Sequence, residues 1–328
     1  QLVLGASDRI WMGTDTMKSG FNNTQPMGGL YYSDDGDNWT EVDFRSGSAN
    51  STKGIGRVEV AVAPSDKNTI YIAAGGGNED DSSTLYWVMK STDNGTSWTD
   101  LPIPSDVIDN GWYGGDNRQA YYDLTIAVDP NDANTLILGQ VTQFKSTDGG
   151  QNWEEISYWV SGAGKPYVHA DQHNSLYIDS NQIIASNDGG VFYSSNGGTS
   201  WSSKIEGYNV GQFWHADIHP SEDKYVLGGT QDNGSWRIKN SASYEGQESG
   251  GDGAFSHFDN DDPNYQFTQV YYNIVYRTSN EWASRTTLID DQTNGYFVCP
   301  SDYDSVNQIY YMSSNTNGDL RPLANART

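Results

Sequence analysis

The chain has 328 residues and carries 43 Asp and Glu against 18 Lys and Arg, a formal net charge of −25. That length allows a large core in one or two domains, while so acidic a surface repels phosphate backbones and anionic headgroups and excludes nucleic acid as a partner. No apolar run is long enough to insert into a bilayer, and the one cysteine, Cys299, admits no intrachain disulfide and reads as a small buried apolar residue. Aromatic residues make up 13% of the chain, which marks it as folded. It starts with Gln1, so a processed chain or a piece of a longer one is expected.

Four turns repeat along the first two thirds: YSDDGDNW (32–39), STDNGTSW (91–98), STDGGQNW (146–153) and SSNGGTSW (194–201). Their tryptophans, Trp39, Trp98, Trp153 and Trp201, fall 59, 55 and 48 residues apart. Each turn follows one short alternating strand and precedes another, the pattern of a hairpin with a glycine-containing turn. The Asp (Asp34, Asp93, Asp148, with Asn196 in the last) can accept hydrogen bonds from amides of its own loop. The Gly supplies a positive φ, and the Trp can bury its ring on the neighbouring sheet.

Ahead of the later turns lie pairs of apolar strands: RVEVAVAP (57–64) with TIYIAA (69–74), YDLTIAVDP (122–130) with TLILGQV (135–141), and NSLYID (174–179) with QIIAS (182–186). Units of about 40–50 residues with four strands each are propeller blades. The pattern continues without the turn motif through 213–240 and 254–289. GYFVC (295–299) and QIYYMSS (308–314) then open a seventh unit, and LRPLANART ends irregularly. The fold expected is all-β, one β-propeller of about seven four-stranded blades over residues 1–328. Its last blade is either unfinished or closed by the N-terminal strand 2–6.

The turns fit the Asp box, S-x-D-x-G-x-x-W. Together with HADQH (169–173), NDGG (187–190), GGTQDNG (228–234) and GGDG (250–253), the chain resembles the Asp-box, or BNR-repeat, sortilin-like propellers secreted by Bacteroidota. It is more distantly similar to the xyloglucan-active two-propeller glycoside hydrolases. The resemblance implies an extracellular or cell-surface bacterial module, exported by type IX secretion, that binds glycan or protein through its blade loops. No recognisable sialidase arginine context is present. In the two-propeller hydrolases a catalytic Asp stands in a D-x-G-G strand end, and Asp188 stands in a comparable place here. An inverting hydrolase pairing Asp188 with Asp232 or Asp252 is the alternative.

His169, Asp171 and His173 alternate, and on one strand they would share a face. Imidazole and carboxylate suit a transition metal, and the acidic loop 78–81 suits calcium. Trp112, Tyr113, Trp159, Tyr167 and Trp214 are the candidate aromatic faces for stacking on sugar rings.

Overall fold

A computed structural model describes residues 1–15, 28–76, 84–104, 119–207, 211–240, 246–314 and 320–328. The chain forms two compact units, Gln1–Gly207 and Tyr208–Thr328. Among the described residues the first unit holds four antiparallel meander sheets of four strands. The second holds two more and a seventh of three strands, so the fold is an all-β propeller type with seven blade sheets. Candidates Trp112 and Tyr113 and the loop 78–81 lie outside the described residues.

Strand alternation builds the first unit. Along Asp66–Gly76, Ile70, Ile72 and Ala74 project to one side, where they meet Trp11, Val58 and Val60. Tyr71 and Ala73 project to the other and meet Leu136 and Leu138. Leu136–Gly139 repeats the arrangement, with Ile137 turned to Ile156 and to Tyr177 and Ile183 of the next blade. A strand apolar on both faces is therefore sandwiched between two sheets, which is why these segments read as continuous rather than alternating apolar runs. In the second unit, Tyr225 and Leu227 pack on Phe258, and Phe267 and Val275 pack on Tyr303, Tyr310 and Met312.

The last strands of the second, third and fourth sheets have two residues each: Thr99–Asp100, Glu154–Glu155 and Ser202–Ser203. The box turn before each holds it in place. In the third sheet, the Gly150 amide donates to Ser146 Oγ at 2.8 Å and Ser146 Oγ donates to Asp148 Oδ1 at 2.8 Å. Asp148 Oδ1 also accepts the amides of Gln151 and Asn152. The side-chain and backbone bonds from Asn152 hold the Asp148 carboxyl down at about 2, and those from Ser97 do the same for Asp93. Asn196 performs the same task through its amide oxygen. Trp98 meets Trp11 of the preceding sheet edge-on at 6.3 Å, and Trp153 donates its indole N–H to the Pro102 carbonyl at 2.8 Å.

Four expectations need correction. In the first turn the capping pair is Ser33 and Asp35, with the Gly36 amide on Ser33 Oγ at 2.9 Å. Asp34 points away and pairs with Arg9 at 2.7 Å. GYFVC is not a strand: Tyr296 and Phe297 are exposed, and the seventh sheet starts at Ser301–Asp304. The irregular tail supplies its third strand, Leu320–Leu323, whose Pro322 is tolerated on an edge. The N-terminal strand Leu2–Leu4 pairs with Ile10–Gly13 in the first sheet and is no part of the seventh.

A further box turn was invisible in the sequence. In the sixth sheet Thr278 takes the Ser place and donates to Asn280 Oδ1 at 2.9 Å, while the Trp282 amide donates to Thr278 Oγ1 at 3.0 Å. Trp282 occupies the glycine position with φ +67°.

If the hydroxyl is the hinge of these turns, Ser146→Ala leaves the buried Gly150 N–H without an acceptor and lowers stability by about 1–3 kcal/mol. Thr278→Val has a loss of the same order. Chemical denaturation followed by tryptophan fluorescence measures both, and a Thr278→Val variant as stable as the parent would remove the sixth-sheet turn from the set.

Candidate functional site

The strongest polar concentration in the first unit lies where the fourth sheet begins. The segment ahead of its first strand, Gln172–Tyr177, carries His169 and Asp171, and Asp171 adopts a left-handed φ of +66°. Asp tolerates this region better than most residues. Register then slips between Gln172, opposite Asn187, and Asn174, opposite Ser186. His173 is the extra residue of this bulge, which re-aims its side chain. The three residues therefore do not line one straight strand face.

The bulge turns His173 toward the turn Asn187–Gly190. Its Nε2 lies 2.6 Å from Asp188 Oδ1, and the Tyr122 hydroxyl donates to Asp188 Oδ2 at 2.8 Å. The Tyr122 and His173 rings meet edge to face at 5.0 Å. Asp188 is thus gripped from two other segments of the chain through both oxygens. The glycines after it have separate reasons. A Cβ on Gly189 would stand 2.3 Å from Cγ of His169, so the ring lies directly on the backbone there, and Gly190 has a φ of +111°.

Beside this group lies a second carboxyl, fully buried. Asp123 accepts no hydrogen bond from a donor group on either oxygen. Burial, and next the charge of Asp171, push its pKa well above the usual carboxylate range. Burial thus favours the protonated form of Asp123 beside Asp171. Burial and the charge of Asp188 raise Asp171 to about 6, against the opposing effects of the bond from Asp123 and of His169 and His173. Gln119 Nε2 also approaches Asp171 Oδ1 at 3.5 Å. Arg57 fixes the segment carrying Asp123: it donates to the carbonyls of Tyr122 at 2.7 Å and Leu124 at 2.9 Å while pairing with Glu59. This is why the segment Tyr122–Leu124, read as strand, is a turn, and the strand begins at Thr125.

His169, Asp171 and His173 are not gathered as a metal set within 4.8 Å of one another, among the described residues. His173 is engaged with Asp188 and Asp171 with Asp123 and Gln119, so a metal at these three would have to displace protein partners. Asp232 and Asp252 belong to the second unit, where the Asp232 amide donates to Asp252 Oδ1 at 2.9 Å, tying a strand turn to the loop after Gly246–Ser249. Trp159 is half-buried against Tyr158, and Tyr167 is exposed and edge-on to Phe192. Trp214 is exposed at the bulge of Phe213–Ile218, the position His173 holds in its own sheet. Tyr122 and Asp123 were missed as site residues. The signal available was a carboxylate directly ahead of an apolar strand.

No family model matches the sequence. The chain is 24% identical over 227 residues to a xyloglucanase of Hypocrea jecorina, covering 61% of this chain and 26% of that protein. It is 25% identical over 166 residues to a xyloglucanase of Acetivibrio thermocellus, covering 44% of this chain and 19% of that protein. Among solved structures, the GH74 xyloglucanase from Xanthomonas campestris is similar with a TM-score of 0.45 and 16% identity, over 98% of this chain and 51% of that one. The chain thus spans about a quarter or less of these curated relatives.

The raised Asp171 pKa has a sign that can be measured. Between the unfolded value near 3.8 and about 6 the folded state binds the extra proton, so this carboxyl costs stability progressively as pH rises through that window. Asp171→Asn, which suits a positive φ, should melt higher than the parent at about pH 8 and equal to it at about pH 4. Thermal melts across that range decide it; a constant difference at every pH would mean that ionisation of Asp171 is not the cause.

Proposed function

We propose that this chain is an extracellular glycan-binding propeller, one module of a larger secreted or cell-surface protein. Tyr122, Asp171, His173 and Asp188 form its ligand-contacting centre. One observation carries the reading: hydrogen-bonding groups from two other segments of the chain converge on Asp188 at a point where His173 is solvent-exposed. Carboxylate, imidazole, phenol and amide groups held rigidly together suit the vicinal hydroxyls of a sugar, and a net charge of −25 favours a neutral polymer. The relatives named as xyloglucanases make xyloglucan the first ligand to try.

A second reading, glycoside hydrolysis, is favoured by the Asp171 pKa of about 6. A carboxyl whose pKa is raised toward neutrality can serve as general acid, with Asp188 as the second carboxyl. Oxygens of the two lie within 4.8 Å. That is nearer the roughly 5 Å spacing of retaining enzymes than the roughly 6.5–9.5 Å of inverting ones.

Calorimetric titration with xyloglucan tests the first reading. Tyr122→Phe and His173→Ala should each weaken binding about tenfold; undiminished affinity in both variants would move the binding site elsewhere. A reducing-sugar assay on the same samples tests the second. Product release abolished by Asp171→Asn and Asp188→Asn would establish hydrolysis there. Release lost instead in Asp232→Asn or Asp252→Asn would point to the inverting alternative, and no release leaves the chain a binding module.

A further inference from the structure

Turns of a meander alternate ends, so the box turns of the third and fourth sheets lie at the far end of those sheets from Asp188. Between these two turns is a half-open cavity of about 390 Å³. Its walls include Trp153, Lys145, Lys165, Glu154, Thr199 and Ile156. A Cβ on Gly198 would stand 2.7 Å from Ile156 Cδ1, so the fourth-sheet turn already packs tightly on the apolar floor.

The cations decide the chemistry. Lys145 and Glu154 are cross-strand neighbours, yet Lys145 Nζ donates to the Gly197 carbonyl at 2.9 Å. Lys165 Nζ donates to the Glu155 carbonyl at 2.8 Å. Among the described residues neither ammonium forms an ion pair with a carboxylate. Each has further N–H groups than the single carbonyl it serves. On the acidic side, Asp148 is spent within its own turn, where Asn152 also donates to it. Glu155 is buried, which leaves Glu154 exposed as an acceptor. An anion would meet three carboxylates here and a cation two ammoniums. A neutral polyol can use both sets, with its C–H face against the indole of Trp153, and the volume falls within the range of small-molecule sites.

The geometry points to this cavity as a second carbohydrate site, separate from the Asp188 centre, that takes one neutral pyranose unit of a glycan. Lys145 and Lys165 donate to its hydroxyls, Glu154 and Thr199 accept from them, and Trp153 forms the stacking wall. The site needs two adjacent box turns, so it arises from the repeat itself. It stands whether or not the Asp188 centre binds glycan.

The test is an NMR titration of the full chain with cellotetraose, following the Trp153 indole N–H and the Thr199 amide. Saturable shifts at both, at ligand concentrations on the order of 1 mM, are expected. Lys165→Met should raise the dissociation constant about tenfold, and Thr199→Trp, which fills the mouth, should abolish the shifts. Circular dichroism checks that each variant is folded. Asp188→Asn should leave the shifts intact, even if it abolishes xyloglucan binding. The inference is overturned if no shift occurs at the pocket, if the shifts survive Thr199→Trp, or if glucuronate or glucosamine shifts Trp153 as strongly as the neutral sugar does.

Discussion

A two-residue strand cannot hold itself to a sheet. The last strands of the second, third and fourth blades are that short, and each depends on the turn before it. One hydroxyl accepts a backbone amide that would otherwise be buried without a partner. It also orients an Asp or Asn that gathers the remaining amides of the loop. The tryptophan at the end of the turn then leans on the preceding blade. The same few atoms thus close each sheet and register it against its neighbour.

With that end fixed, the opposite ends of the blades are free to carry polar groups that contribute nothing to closure. The third and fourth sheets use this freedom most fully. The bulge at His173, the left-handed Asp171 and the close-packed Gly189 would each weaken an ordinary strand start. Together they bring two carboxyls, an imidazole and a phenol close together beside the buried Asp123. Such concentrations of cost are tolerated where a scaffold is rigid enough to impose them.

The blades were legible because apolar periodicity and turn chemistry are local signals. The turns at 91–98, 146–153 and 194–201 were legible for the same reason. What escaped were non-local facts. The partners of Asp188 come from Tyr122 and from a bulge, and nothing within the HADQH segment announces a one-residue slip. Asp34 and Asp35 are adjacent, and only Arg9, distant in sequence, decides which of them points outward. The sixth-sheet turn hid because Trp282 stands where glycine was expected; the hydroxyl and the amide oxygen carry the geometry, and the glycine only eases it. GYFVC had strand composition, but the seventh sheet found its partners further along.

Tyr122 is held at two points: its hydroxyl on Asp188 of the fourth blade and its carbonyl on Arg57 of the second. Arg57 stands in the nine-residue strand Ile55–Ala63, paired to the eleven-residue strand Asp66–Gly76. A pull exerted on the Asp188 turn therefore does not stop at that hairpin. It passes through Tyr122 and Arg57 into the longest hydrogen-bonded ladder of the first unit, where it is shared by many bonds loaded together. Whatever loads the Asp188 turn is resisted at a distance, and the tether is one phenol and one guanidinium.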